Sequence, residues 1–294
     1  MEGWVQNPVW SGVHTPSVLA STSRMAGGTW GGDIDLVTPT VGEQQVGEDV
    51  VVSEANLLAW ATTCLEVAGA GPEVAAAQAE LLLAADRRGH YSHGFNRLGV
   101  YVRDIQAGAC RPAAVPQVVN ETAAAALVDG GAGLGAVIGE FAMKLAIRKA
   151  REAGVGWVTV RNSNHFGIAG YYSAMAEREG MVGIAMTNGT PWVAATRSRG
   201  QRLLSTNPIA FSAPGVDSGI CLDMATSAVA AGKIEVAAVR GEAMPEGWAV
   251  DGQGRDTTDP KEALREGAGL PLGGRETTGG YKGFGLDPKT PLWR

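Results

Sequence analysis

The side chains able to do chemistry in this chain fall into a few short runs. In Ser92-His93-Gly94-Phe95-Asn96-Arg97-Leu98-Gly99-Val100-Tyr101, a histidine, an arginine and a tyrosine recur at i, i+4 and i+8. On a helix all three project from one face. A guanidinium grips a carboxylate bidentately, so such a stripe suits recognition of an organic anion. The same spacing also describes a solvated helix face with Arg97 turned towards Asp104, and residue types alone leave both readings open. His90 and His93 have no carboxylate or cysteine at ligand spacing, and no metal site is expected.

A second run, Arg161-Asn162-Ser163-Asn164-His165-Phe166-Gly167, follows an apolar strand-like segment and precedes a helix-like one. Loops at strand ends are where α/β proteins hold reactive groups, and histidine can take and return a proton near neutrality. A loop histidine bonded to backbone is the structural alternative. Between these runs, Gly131-x-Gly133-x-x-Ala136 matches a dinucleotide fingerprint. The acidic residue that should end the next strand is missing, since that strand runs into Arg161 and Asn162. The glycines therefore read as a strand-to-helix turn. Asp223-Met224-Ala225-Thr226-Ser227 would end a strand and begin a helix whose N–H groups face an anion. Thr278–Gly285 places Lys282 in a flexible loop, without the Gly-Lys-Ser/Thr of a nucleotide hydrolase.

The elements that must position these groups change character along the chain. Ser53 is a plausible N-cap for a helix carrying Leu57, Leu58, Ala61, Cys64 and Leu65. Pro72 opens a second helix that ends at Gly89, and a third is expected from His93 to Ala107. From Val118 the pattern alternates: strand Ala123–Asp129, helix Leu134–Ala153, strand Gly156–Val160, helix Ala169–Glu179 and strand Val182–Met186. Strands Ile209–Ser212 and Ile220–Met224 and helix Thr226–Arg240 follow. The expected class is α/β (mixed α+β): a helical N-terminal segment, then a mixed sheet flanked by helices.

Composition sets the outer bounds. The chain has 294 residues and a net charge of −6, with 24 Lys+Arg against 30 Asp+Glu. Without a clustered basic face, neither nucleic acid nor an anionic membrane is an expected partner. The 42 glycines among those 294 residues are about twice the usual ~7 % share, with no collagen period. Cys64, Cys110 and Cys221 are too few and too scattered for a disulfide framework, which points to a reducing, cytoplasmic setting.

In this order the segments resemble the type-2 malate/L-lactate dehydrogenase family. That NAD(P)-dependent group includes ureidoglycolate, sulfolactate and cyclic-imine-acid enzymes. The matching blocks are DRRGHYSHGFNRLGVYVRDIQAG, SNHFGIAGYYSAMA, TNGTP, STNPIAFSAPG, LDMATSAVAAGKIEVA, GWAVDGQGRDTTDP, PLGG and GGYKGFGL, over roughly residues 53 to 286. The resemblance implies a non-Rossmann NAD(P)-binding sheet and hydride transfer with a small 2-hydroxy or 2-oxo acid such as malate or lactate. It implies that His165 is the proton acceptor. Ser92, His93, Arg97 and Tyr101 would line the substrate pocket, with Arg97 holding the carboxylate. Gly189, Asp223, Met224, Ala225 and Lys282 would contact NAD or NADP, and the protein would be a homodimer with sites near the subunit interface.

The expected organisation is a disordered or non-family extension over 1–50, a helical substrate-lining segment over 51–115, an NAD(P)-binding α/β domain over 116–286 and a truncated end over 287–294. Ser205 stands where the family has glycine, with the expectation of an altered turn. The alternative to a working dehydrogenase is a catalytically silent isoform or remnant that binds cofactor or a full-length partner without turnover.

Overall fold

The computed structural model describes residues 51–194 and 200–286, and the expectations for 1–50 and 287–294 lie outside them. Contacts divide the chain after Leu57. Of the first unit only residues 51–57 are described; there Ser53 Oγ accepts the Asn56 N–H at 3.3 Å and starts α1 (Glu54–Val67).

In the second unit Pro72, which has no N–H to leave unpaired, opens α2 (Pro72–Arg87). Ala75, Ala79 and Leu82 of α2 pack on Ala61 and Leu65 of α1 and on Tyr101 and Ile105 of α3 (Leu98–Gln106). The single helix expected from His93 to Ala107 is not formed. Two 3-10 turns, Tyr91–His93 and Phe95–Arg97, precede α3. The cause is Asp86, whose carboxylate reaches from α2 and accepts the Phe95 N–H at 3.0 Å. Gly94 lies so close to that carboxylate that a Cβ there would overlap it. The backbone N–H groups of His93 and Arg97 bond instead to His90 and Gly94, three residues back.

The alternating segment forms a mixed arrangement of sheets. Strand β1 (Gln117–Glu121), which the sequence pattern did not signal, pairs antiparallel with β2 (Ala125–Gly133). Helix α4 (Gly135–Ala153) crosses over to β3 (Trp157–Ser163), which lies parallel to β2. The glycines of the fingerprint thus extend strand β2 before the helix begins. Helix α5 (Ala169–Arg178) follows and packs on β4 (Gly183–Met186) and on the strand that pairs with it.

Two short strands, β5 (Val193–Ala194) and β6 (Arg202–Leu204), precede β7 (Ile209–Ala213) and β8 (Ile220–Met224). Strands β4, β7 and β8 form an antiparallel sheet. Ser173 of α5 and Ser212 of β7 share a hydrogen bond of 2.8 Å beneath it.

Helix α6 spans Ala231–Arg240, not Thr226–Arg240 as expected. Residues 226–228 are tied to neighbouring chain instead. The Thr226 N–H donates to Thr206 O at 2.9 Å, and the Ala228 N–H to Leu270 O at 2.8 Å. The anion-facing helix start expected at Asp223–Ser227 is therefore absent. Strands β9 (Ala249–Val250) and β10 (Asp256–Thr257), helix α7 (Pro260–Arg265) and strand β11 (Ala268–Gly269) follow. A five-stranded sheet runs β10-β9-β11-β5-β6, closed over Trp192, Val229, Ile234 and Met244. Lys282, expected in a flexible loop, stands exposed on α8 (Gly280–Leu286).

Parallel pairs among the described residues are β2/β3 and β11/β5, so the fold is mixed α/β and not a doubly wound parallel sheet. No described helix is long and apolar enough to cross a membrane.

Candidate active site

The loop after β3 is pinned before it reaches His165. Asn164 Nδ2 donates to the carbonyls of Ala132 and Gly133 at 2.8 and 3.0 Å. Gly135, at the start of α4, lies against the His165 carbonyl so closely that a Cβ there would overlap it. From the other side α3 brings Tyr101, 3 % exposed, whose hydroxyl lies 2.5 Å from His165 Nδ1.

The 3-10 turn before α3 supplies His93, whose ring stacks on that of His165 at 5.5 Å between centroids and 22° between planes. Ser92 Oγ lies 2.8 Å from His93 Nδ1. Arg97 is fixed twice: Nε donates to Ser92 O at 2.7 Å, and Nη2 pairs with Glu235 of α6 at 2.7 Å. The expected pocket residues Ser92, His93, Arg97, Tyr101 and His165 are thus brought together. Two irregular turns and one helix do this, not a single helix face. The ion pair of Arg97 is with Glu235, which replaces the Asp104 partner considered from spacing.

The electrostatics keep both imidazoles neutral. Burial, then the charge of Arg97, draws the His165 pKa down to about 4. Burial, then His165, Arg97 and His90, does the same for His93, also to about 4. As a whole residue His165 is the more exposed to solvent of the two. Burial pushes the Tyr101 hydroxyl well above its ordinary value, so it stays protonated.

The residues expected on the cofactor side lie elsewhere. Asp223 Oδ2 accepts the Gly170 N–H at 2.7 Å, at the start of α5. With Met224 it lines a cavity of about 500 Å³ that also holds Arg88, His90, Glu177 and Cys221. Burial raises the Asp223 pKa, while Gly170, His90 and Arg88 pull it back. Ala225 follows directly after β8, half-buried. The Gly189 N–H donates to Asn207 Oδ1 at 3.1 Å, and the Ser205 hydroxyl closes against Gly189. A dinucleotide needs acceptors for ribose hydroxyls and a cation for phosphate. Asp223 and Arg88 offer both in one cavity, and the donor set fits.

Sequence reasoning missed Asp86, Arg88, Gly232 and Glu235. Glu235 lies 138 residues from Arg97, and nothing local to either announces the pair. Asp86 accepts an N–H nine residues further on, a contact that no local pattern signals. Among the described residues no group of three or more His, Cys, Asp and Glu side chains is arranged to hold a metal.

Comparison with known proteins gives a consistent picture. The family profile described as malate/L-lactate dehydrogenase matches residues 52–287. The malate dehydrogenase of Pyrococcus horikoshii is 48 % identical over 236 residues, which is 80 % of this chain and 65 % of that protein. The L-sulfolactate dehydrogenase of Methanocaldococcus jannaschii is 44 % identical over 218 residues, 74 % of this chain and 61 % of that one. Among solved structures, the malate dehydrogenase from Entamoeba histolytica superposes with a TM-score of 0.77 at 38 % identity, covering 80 % of this chain and 67 % of that one. The chain spans somewhat less than two-thirds of the length of these curated relatives.

Proposed function

The chain belongs to the malate/L-lactate dehydrogenase family, and from that membership we propose that it transfers hydride between NAD(P) and a small 2-hydroxy acid. The observation that carries the reading is the Tyr101–His165 contact of 2.5 Å beside His93 and Arg97. A proton-accepting ring is held there next to a cation suited to a substrate carboxylate.

Arg97 binds the carboxylate and so aims the neighbouring carbon. His165, neutral at pH 7, takes the hydroxyl proton on a ring held in place at Nδ1, which faces both the Tyr101 hydroxyl and the Gly167 N–H. In the opposite direction His165 must first be protonated. Burial lowers the imidazole pKa most and Arg97 second; a carboxylate on Arg97 offsets that second cause, so binding of the 2-oxo acid itself favours proton uptake. The nicotinamide supplies the hydride chemistry when bound. Asp223 and Arg88 hold the dinucleotide in this reading, with Gly189, Met224, Ala225 and Lys282 as the further contacts that the family resemblance assigns. Residues 51–115 then supply the acid-binding side chains and 116–286 the cofactor side. A homodimer belongs to the same reading, as does a cytoplasmic setting, consistent with Cys64, Cys110 and Cys221 being free thiols.

One observation favours a second assignment of the proton. Ser92 Oγ orients His93 through Nδ1, leaving His93 Nε2 as the ring nitrogen that meets the substrate. The test compares His165→Ala with His93→Ala, assayed with NADH or NADPH and oxaloacetate, pyruvate or sulfopyruvate. Loss of the proton-transfer residue lowers kcat by about 10²- to 10⁴-fold, and the larger loss identifies it. Unchanged kcat in both variants refutes the reading, and cofactor binding without turnover by the parent chain favours the silent alternative.

A further inference from the structure

Arg97 is the arginine whose charge acts on both imidazoles, and Nε and Nη2 of its guanidinium are committed to protein. Nε holds Ser92 O and Nη2 holds Glu235, each at 2.7 Å. Glu235 comes from the second turn of α6, and its side chain is 45 % exposed. A group so open to water gains little stability from one ion pair. The arrangement does fix the direction of the guanidinium, because anchoring Nε and Nη2 sets the plane of the fork and leaves Nη1 outside both contacts. A second contact from the same helix supports this. A Cβ at Gly232 would lie 2.6 Å from Arg97 Nη2 and 2.7 Å from Ser92 Cβ, so α6 approaches the turn as closely as backbone allows.

We propose that Glu235 is a positioning residue for substrate binding: through Arg97 Nη2 it orients the guanidinium so that the substrate carboxylate meets the Nη1 edge. The proposal rests on the function proposed above, in which Arg97 holds that carboxylate. Two effects of Glu235 on an anionic substrate compete. Its charge, close beside the guanidinium, opposes the carboxylate, whereas its grip spares the arginine the entropy of being ordered when substrate binds. The proposal requires the second effect to be the larger, and the sign of the KM change decides it.

The test uses the full chain with Glu235→Ala and Glu235→Gln. Glu235→Ala is expected to raise KM for the 2-oxo acid about tenfold with kcat within about twofold, the pattern of lost binding, not of lost chemistry. Glu235→Gln, which keeps an acceptor for Nη2, should restore KM to within about threefold of the parent. A second readout needs no turnover. Phenylglyoxal modification of Arg97, followed by mass spectrometry of the peptide, should run several-fold faster in Glu235→Ala than in the parent or in Glu235→Gln. A KM that falls in Glu235→Ala overturns the proposal, because repulsion then outweighs positioning. Equal Arg97 reactivity in all three proteins overturns it as well. If the parent neither binds nor reduces any 2-oxo acid, the proposed function fails instead, and the arginine reactivity still decides whether Glu235 holds Arg97.

Discussion

Acidification is expected to weaken the fold through the two stacked histidines. His93 and His165 have ordinary pKa values of 6.5 that the folded chain lowers to about 4. Between those values the unfolded chain binds the protons more readily than the folded one, so stability rises with pH across this window. The contribution is fully present above about pH 6.5 and is lost as pH falls through about 4. At 1.36 kcal/mol per pKa unit, a shift of that size at His93 amounts to on the order of 3 kcal/mol. His165, open to solvent, contributes only a fraction of that after screening.

Other groups titrate in the same range. Burial raises the carboxyls of Asp86 and Asp223, which therefore gain stability on acidification, while Asp129 and Asp251 are lowered by backbone N–H donors and lose it. These contributions are common to the parent and a His93→Gln variant and cancel in the difference. Urea unfolding followed by tryptophan fluorescence from pH 4.5 to 7.5 should show the parent losing about 2 kcal/mol more than the variant as pH falls. Parallel curves for the two proteins would falsify this account of the pair.

Tyr101→Phe removes the hydroxyl on His165 Nδ1 while keeping the buried ring. The expected result is a fall in kcat of about tenfold with little change in KM, measured by steady-state NADH oxidation. Gly94→Ala drives a methyl into the Asp86 carboxylate and should cost about 2–4 kcal/mol in a urea melt. An unchanged midpoint there contradicts the close approach of the two residues.

Much of the scaffold was legible because its signals are local. Ser53, Pro72 and the apolar face of α2 mark helices through capping and periodicity, and the alternation from Val118 onwards announces strands and a crossover helix. The site was legible as a set of residues but not as a geometry. Spacing alone put His93, Arg97 and Tyr101 on one helix, whereas the carboxylate of Asp86, reaching from another helix, breaks that helix at Phe95. The start of α6 was placed too early for a similar reason. Thr226 and Ala228 bond to Thr206 and Leu270, chain that no local pattern reveals. Strand β1 was missed because Gln117–Glu121 is exposed throughout and carries no apolar alternation.

The glycine run that resembles a nucleotide fingerprint has a consequence for how such a gene tolerates change. Asp129 turns back to accept the Gly131 N–H at 2.9 Å and also receives Arg161 Nε and Asn162 Nδ2 at 2.9 Å, so the turn is tied to the end of the next strand, where a nucleotide fold would carry its ribose-binding acid. Gly135 then seats the His165 carbonyl with no room for a methyl group. Substitutions along this run therefore disturb the height of one histidine and not the grip on a nucleotide. The glycine pattern by itself does not separate that mechanical seat from a phosphate cradle.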